Sequence, residues 1–259
     1  MRRYNPLLLL VALSMLVMGG PAQAVTYVYG EAVFDFTTGT NVGIEDGNAR
    51  IFKGTSSVYG DFFVRATGWS LETTPTGVFV RNSKLVVYSG GLGIISGDDQ
   101  GGTSNQHTID NSKRKDFVLF QFDSRVKLLH ATFNTYSVLG ATKDSDATLR
   151  YGDTDIPWNA SLPLDDQPKS VLDAMFAGEF TSYGPSGSNS RDINEDGHWG
   201  DLWLIGADFN NTSTKVIDGF KITNLGVVPE PATWTMLIVG FGLMGAALRR
   251  SRALTTTAA

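Results

Sequence analysis

Short apolar segments alternate with polar, turn-rich ones through the middle of the chain. Val33–Phe36, Val58–Val64, Gly77–Tyr88, Phe117–Phe122, Val126–Phe133, Ala147–Tyr151, Leu202–Phe209 and Val216–Ile222 are rich in β-branched and aromatic residues, and most are bounded by Gly, Asn, Asp or Ser. Ala147–Tyr151 alternates cleanly, as a half-buried strand does. Phe117–Phe122 is almost continuously apolar, as in a strand covered on both faces. One stretch has a different period: Val171, Leu172, Met175 and Phe176 fall on one helical face, which predicts a short helix over Pro168–Phe180 capping an open end of the strands. Many short strands with polar turns predict an all-β fold, an antiparallel β-sandwich or jelly roll with one short helix.

The two ends carry longer apolar runs. Arg2 and Arg3 precede Leu7–Met18; Gly19, Gly20 and Pro21 break the run, and Ala22-Gln23-Ala24 follows. That order predicts a signal peptide over residues 1–24, cut by signal peptidase before Val25. Near the other end, Pro229-Glu230-Pro231 is stiff and non-helical because prolines fix φ and restrict the residue before them. A charge-free run from Trp234 to Leu248 follows, closed by Arg249, Arg250 and Arg252. A helix of about 18 residues rises ~27 Å, just enough for a ~30 Å hydrocarbon core. Trp234 suits one interface, and the arginines suit the cytoplasmic side. The predicted layout is therefore an exported domain over 25–228, a sorting segment over 229–252 and a short tail over 253–259.

The rigid motif, marginal span and basic cluster together resemble the PEP-CTERM sorting signal of Gram-negative bacteria. The resemblance implies recognition by an inner-membrane exosortase, transient residence in that membrane and processing near Pro229-Glu230-Pro231. A second likeness covers most of the rest. Leu92-Gly93, His107–Asn111, Asp116–Asp123, Asp144-Ser145-Asp146 and Phe220-Lys221 follow the pattern of a family of exosortase-dependent surface proteins. It implies a β-rich exported domain without enzymatic activity. Gly240–Gly245 matches G-x-G-x-x-G, but the acidic residue that a dinucleotide site needs about 20 positions later is missing, so the glycines read as small residues of a membrane helix.

Composition sharpens this picture. The chain has 21 basic and 26 acidic side chains. Setting aside Arg2, Arg3, Arg249, Arg250, Arg252 and Glu230 in the end segments leaves 16 basic against 25 acidic, a net charge of −9. Such a surface repels phosphate backbones and excludes nucleic acid as a partner, while it suits divalent cations. There is no cysteine, so the domain must be held by its core rather than by disulfides.

Candidate chemistry is sparse. His107, Asp110 and Ser104 have the residue types of a triad, yet neighbouring positions in sequence do not make the geometry of one. Asp98-Asp99, Asp165-Asp166 and Asp144/Asp146 sit in loop contexts, and none is marked as an acid–base pair. Among Trp69, Trp158, Trp199 and Trp203, Trp158 after Pro157 is the candidate for stacking on a sugar ring. Asp192-Ile193-Asn194-Glu195-Asp196-Gly197 matches the first half of an EF-hand-type calcium loop. Asp192, Asn194 and Asp196 would supply side chains, His198 a carbonyl, and Asp201 would stand in for the Glu missing at position twelve. The alternative there is an ordinary acidic turn, and no other cofactor is predicted.

The reading that follows is an exported, exosortase-processed cell-surface or extracellular-matrix protein of biofilm type, structural or adhesive and without catalysis. A carbohydrate- or exopolysaccharide-binding module is the alternative, and a secreted hydrolase the third.

Overall fold

The computed structural model describes residues 30–37, 41–44 (backbone only), 47–97, 99, 104–230 and 240–244. Ala22, Ala24 and Val25 lie outside them, as do Asp98, Pro231, Trp234, Arg249, Arg250 and Arg252. Strands β1 (Ala32–Asp35), β2 (Asn41–Ile44), β3 (Ala49–Ser56), β4 (Gly60–Thr74), β5 (Gly77–Asn82), β6 (Lys84–Tyr88), β7 (Gly91–Ile95), β8 (Ile109–Asp110), β9 (Lys115–Thr135), β10 (Thr142–Asp144) and β11 (Ala147–Gly152) come first. Helix α1 (Lys169–Asp173) follows, then β12 (Gly178–Ser182), β13 (Asn189–Asp192), β14 (Gly200–Ala207) and β15 (Val216–Pro229). They join into a 15-stranded sheet. Among the described residues every pairing of these strands is antiparallel except β10 with β15, which is parallel. The all-β, mainly antiparallel class is as predicted.

Two long strands organise the sheet. Phe117–Phe122 and Val126–Phe133, read from sequence as separate strands, are one 21-residue strand, β9. Its first half lies between β4 and β14. Its second half lies between β13 and β15. Asp123, Ser124 and Arg125 are exposed where the partners change. The predicted Gly77–Tyr88 strand is conversely two, β5 and β6, split at the buried Ser83. Val58–Val64 straddles the turn of the β3–β4 hairpin, in which Ser56 pairs with Gly60.

The first half of β9 explains its apolar run. Val118, Phe120 and Phe122 enter the main core with Phe34, Phe36 and Phe133. Phe117 and Leu119 enter a second cluster on the opposite face with Trp69, Leu172, Leu202 and Leu204. Both faces are covered, so alternation disappears from the sequence.

The helix prediction needs correction. α1 is only Lys169–Asp173, and its one buried side chain, Leu172, packs into the second cluster. It therefore covers a sheet face rather than an end of the fold. Gly178–Ser182 leaves the helix altogether and pairs with β11, Gly178 opposite Tyr151 and Phe180 opposite Leu149. An open strand edge offers a row of backbone partners, which outweighs a short helical period.

Candidate functional site

The last strand carries the chain straight into the sorting segment. Pro229 ends β15 opposite Val126 of β9. A proline is tolerated there because it closes the strand and has no N–H to leave unpaired. The Glu230 N–H donates to the Arg125 carbonyl at 2.7 Å. The Arg125 guanidinium sits 3.4 Å from the Glu230 carboxylate and 2.9 Å from that of Asp153. Arg125 belongs to the exposed stretch of β9 where its partners change, so that stretch clasps Glu230 while the next residue, Val126, pairs with Pro229.

A family model of the PEP-CTERM protein-sorting motif matches residues 227–252. This segment is a PEP-CTERM sorting signal. The PEP-CTERM match begins at Val227, two residues before β15 ends, so the signal overlaps the sheet instead of hanging from a linker. Such a signal marks the chain for exosortase and for export. Of its apolar stretch, Gly240–Met244 is described; it is helical, with Phe241, Leu243 and Met244 exposed. Among the described residues no helix is long and apolar enough to cross a membrane. No curated protein and no solved structure matches the chain.

The Asp192–Asp201 segment folds as a closed turn. The Asn194 amide donates to the carbonyls of Leu128 at 3.0 Å and His198 at 2.9 Å, and its Oδ1 accepts the His198 N–H at 2.9 Å. The His198 carbonyl expected at position seven is thus drawn to the Asn194 amide. Asp192 is exposed in β13, the Asp196 side chain is 85% exposed, and Asp201 accepts the Thr154 N–H. Asp192, Asp196 and Asp201 do not converge on a point. The His198 ring instead stacks on Tyr151 at 4.0 Å.

A different set of carboxylates does converge. Oxygens of Asp144, Asp146 and Asp218 all lie within 4.8 Å of one another, the one such group among the described residues. The parallel β10–β15 pairing sets Asp144 directly opposite Asp218. Asn111 holds Asp218 from two sides: its amide donates to Oδ2 at 2.5 Å and its Oδ1 accepts the Asp218 N–H at 3.1 Å. The Asn211 amide donates to the same Oδ2 at 2.8 Å. Asp218 is fully buried, and its Oδ1 has no hydrogen-bond partner. Burial pushes the Asp218 carboxyl up to about 7 against those amide bonds, and Asp144 and Asp146 add to the rise. Asp146 accepts the Gly184 N–H at 2.7 Å, and burial raises it too.

Arg191 borders this group. Burial lowers its guanidinium to about 10, while Asp146 and Asp144 act to raise it. Its N–H groups go to neutral oxygens, those of Ser145, Ser182 and Asn189. Asn111 and Asp144-Ser145-Asp146 come from two motifs that sequence had singled out without a role. Asp218 was missed because it lies inside a strand-forming run, Val216–Ile222, and only the strand register brings it to Asp144.

The remaining candidates are dispersed. Asp110 accepts from Ser112 and Thr108, and the His107 Nδ1 is buried without a partner, so the two do not form a bonded pair through that nitrogen. Trp69 and Trp203 are buried. Trp158 and Trp199 are half-buried, and one face of Trp158 is stacked on Phe63 at 5.8 Å. Asp165 accepts the Asn82 N–H, and Asp166 forms an ion pair with Arg81. Lys221 of the Phe-Lys motif places its Nζ 3.8 Å from the Tyr88 ring and 4.8 Å from that of Tyr136, and burial lowers its amine to about 8.

Proposed function

We propose that the chain is an exosortase-processed cell-surface or matrix protein with a structural or adhesive role and no catalytic one. The observation that carries this reading is the PEP-CTERM signal continuous with β15. A signal fused to a folded sheet delivers that sheet as cargo, and trimming just after Pro229 leaves every paired residue of β15 in place. The two-cluster core supports a two-layered sandwich, a rigid body suited to lining a surface rather than to moving around a substrate.

The test is mass spectrometry of the mature protein from a host with its exosortase, alongside localisation. The expected mature chain begins at Val25 and ends near Pro229-Glu230-Pro231, at the surface or outside the cell. Recovery of surface protein still carrying Arg249–Arg252 would overturn processing.

A second reading, exopolysaccharide binding, is favoured by one observation. A cleft of about 270 Å³ is lined by Asn48, Arg65, Asn82, Asp165 and Gln167 with Trp69. Those amide and charged groups suit sugar hydroxyls, although Trp69 is only 4% exposed and leaves little ring surface for stacking.

A further inference from the structure

We propose that Asp144, Asp146 and Asp218 form a calcium site that ties β10 and the loop after it to the last strand of the sheet. The donor set is entirely oxygen, with neither His nor Cys within the group, which selects a hard cation over zinc or copper. Three carboxylates more than offset a divalent charge. The spacing admits calcium: two ligands on opposite sides of the ion, each ~2.4 Å away, are ~4.8 Å apart. The three oxygens here fall within 4.8 Å.

The independent observation is Asp218. A fully buried carboxylate with one oxygen lacking any hydrogen-bond partner is costly to keep unless something binds that oxygen. Its other oxygen takes both side-chain amides, from Asn111 and Asn211, leaving Oδ1 free for an ion. That is the arrangement of outer residues that orient a metal ligand. Arg191 does not fill this role, because its N–H groups are directed to Ser145, Ser182 and Asn189. Asp144 and Asp146 are half-buried, so the group is open to solvent on one side and an ion can enter.

The full-length chain, purified in mild detergent and stripped with chelator, is titrated with calcium by calorimetry and melted with calcium or chelator. Binding is expected at one site with Kd of ~10⁻⁴–10⁻³ M, the range of extracellular modules, with a melting temperature that rises and saturates with calcium. Asp218→Asn should abolish both effects. Asp144→Asn, at a half-buried position where folding is not in question, should weaken binding at least about tenfold. The double variant Asp192→Asn/Asp196→Asn should leave binding unchanged. Equal melting in calcium and chelator, or binding that survives Asp144→Asn, would overturn the site. Binding lost in the Asp192/Asp196 variant instead would move it to that turn, and an equal response to magnesium would overturn the assignment to calcium.

Discussion

Replacing Phe120 by alanine probes the central claim about the fold, that β9 is a covered strand between two others. Phe120 has no exposed surface and lies opposite Ala66 on one side and Trp203 on the other. Its ring centroid is 5.9 Å from that of Phe36 and 6.4 Å from that of Phe122. The substitution removes the transfer free energy of a buried aromatic, ~1.5–3 kcal/mol, and adds a cavity contribution because strand neighbours cannot collapse into the gap. The expected loss is ~3–5 kcal/mol. With a urea m-value near ~3 kcal/mol/M for a domain of this size, the midpoint should fall by ~1–2 M. Tryptophan fluorescence reports the transition, since Trp203 is buried in the same core. Val33→Ala, at a 40% exposed position in β1, is the control and should change stability far less. A loss below ~1 kcal/mol for Phe120→Ala, with m unchanged, would mean that β9 is not covered as described.

Gly93→Ala should be destabilising by more than ~2 kcal/mol in the same titration, because a Cβ there would run into the His107 carbonyl; wild-type stability would show that this loop has room to move. Burial holds the Asp110 carboxyl at about 6, above its ordinary 3.8, so the folded state keeps a proton that the unfolded chain loses. Its contribution to stability is therefore greatest below pH ~3.8, declines by up to roughly 3 kcal/mol as pH rises to ~6, and is flat above that. Asp110→Asn should flatten this part of the stability–pH curve, and identical curves for the two proteins would refute the burial argument. Arg125→Ala releases the Glu230 clasp at an exposed position; it should cost less than ~1 kcal/mol in stability yet speed removal of the tail in pulse-chase with exosortase present, and an unchanged rate would show that the clasp does not restrain processing.

The sequence showed most clearly what depends on local pattern. The alternating Ala147–Tyr151 and the apolar run of Phe117–Phe122 both became strands; the second is covered on both faces as expected, whereas the first is not half-buried, because its polar Thr148 and Arg150 are buried as well. Pairing between distant segments left weaker traces. β3 carries no clear period, since its Phe52 is buried against a core assembled from other strands. β12 looked helical because an edge pairing with β11 cannot be inferred from the residues of Gly178–Ser182 alone. The sorting signal was legible because its order of motif, apolar run and arginines is linear. The acidic group was legible only in pieces. Asp144-Ser145-Asp146 and Asn111 stood out as motif residues, whereas Asp218 needed the β10–β15 register to acquire a neighbour.

β15 pairs with β1, β7, β8, β9 and β10, and of the described strands it is made last. In a chain that emerges amino end first, these five wait with their edges open until Val216–Pro229 arrives. Completion of the sheet and release of Pro229-Glu230 from the exit path are then nearly the same event. A protease that reached this junction too soon, or cut a few residues upstream, would take Val227 from Ala32 and Leu128 and unpick the sheet from its middle. Tail removal is therefore expected to follow the arrival of the strand that makes the rest of the domain hold.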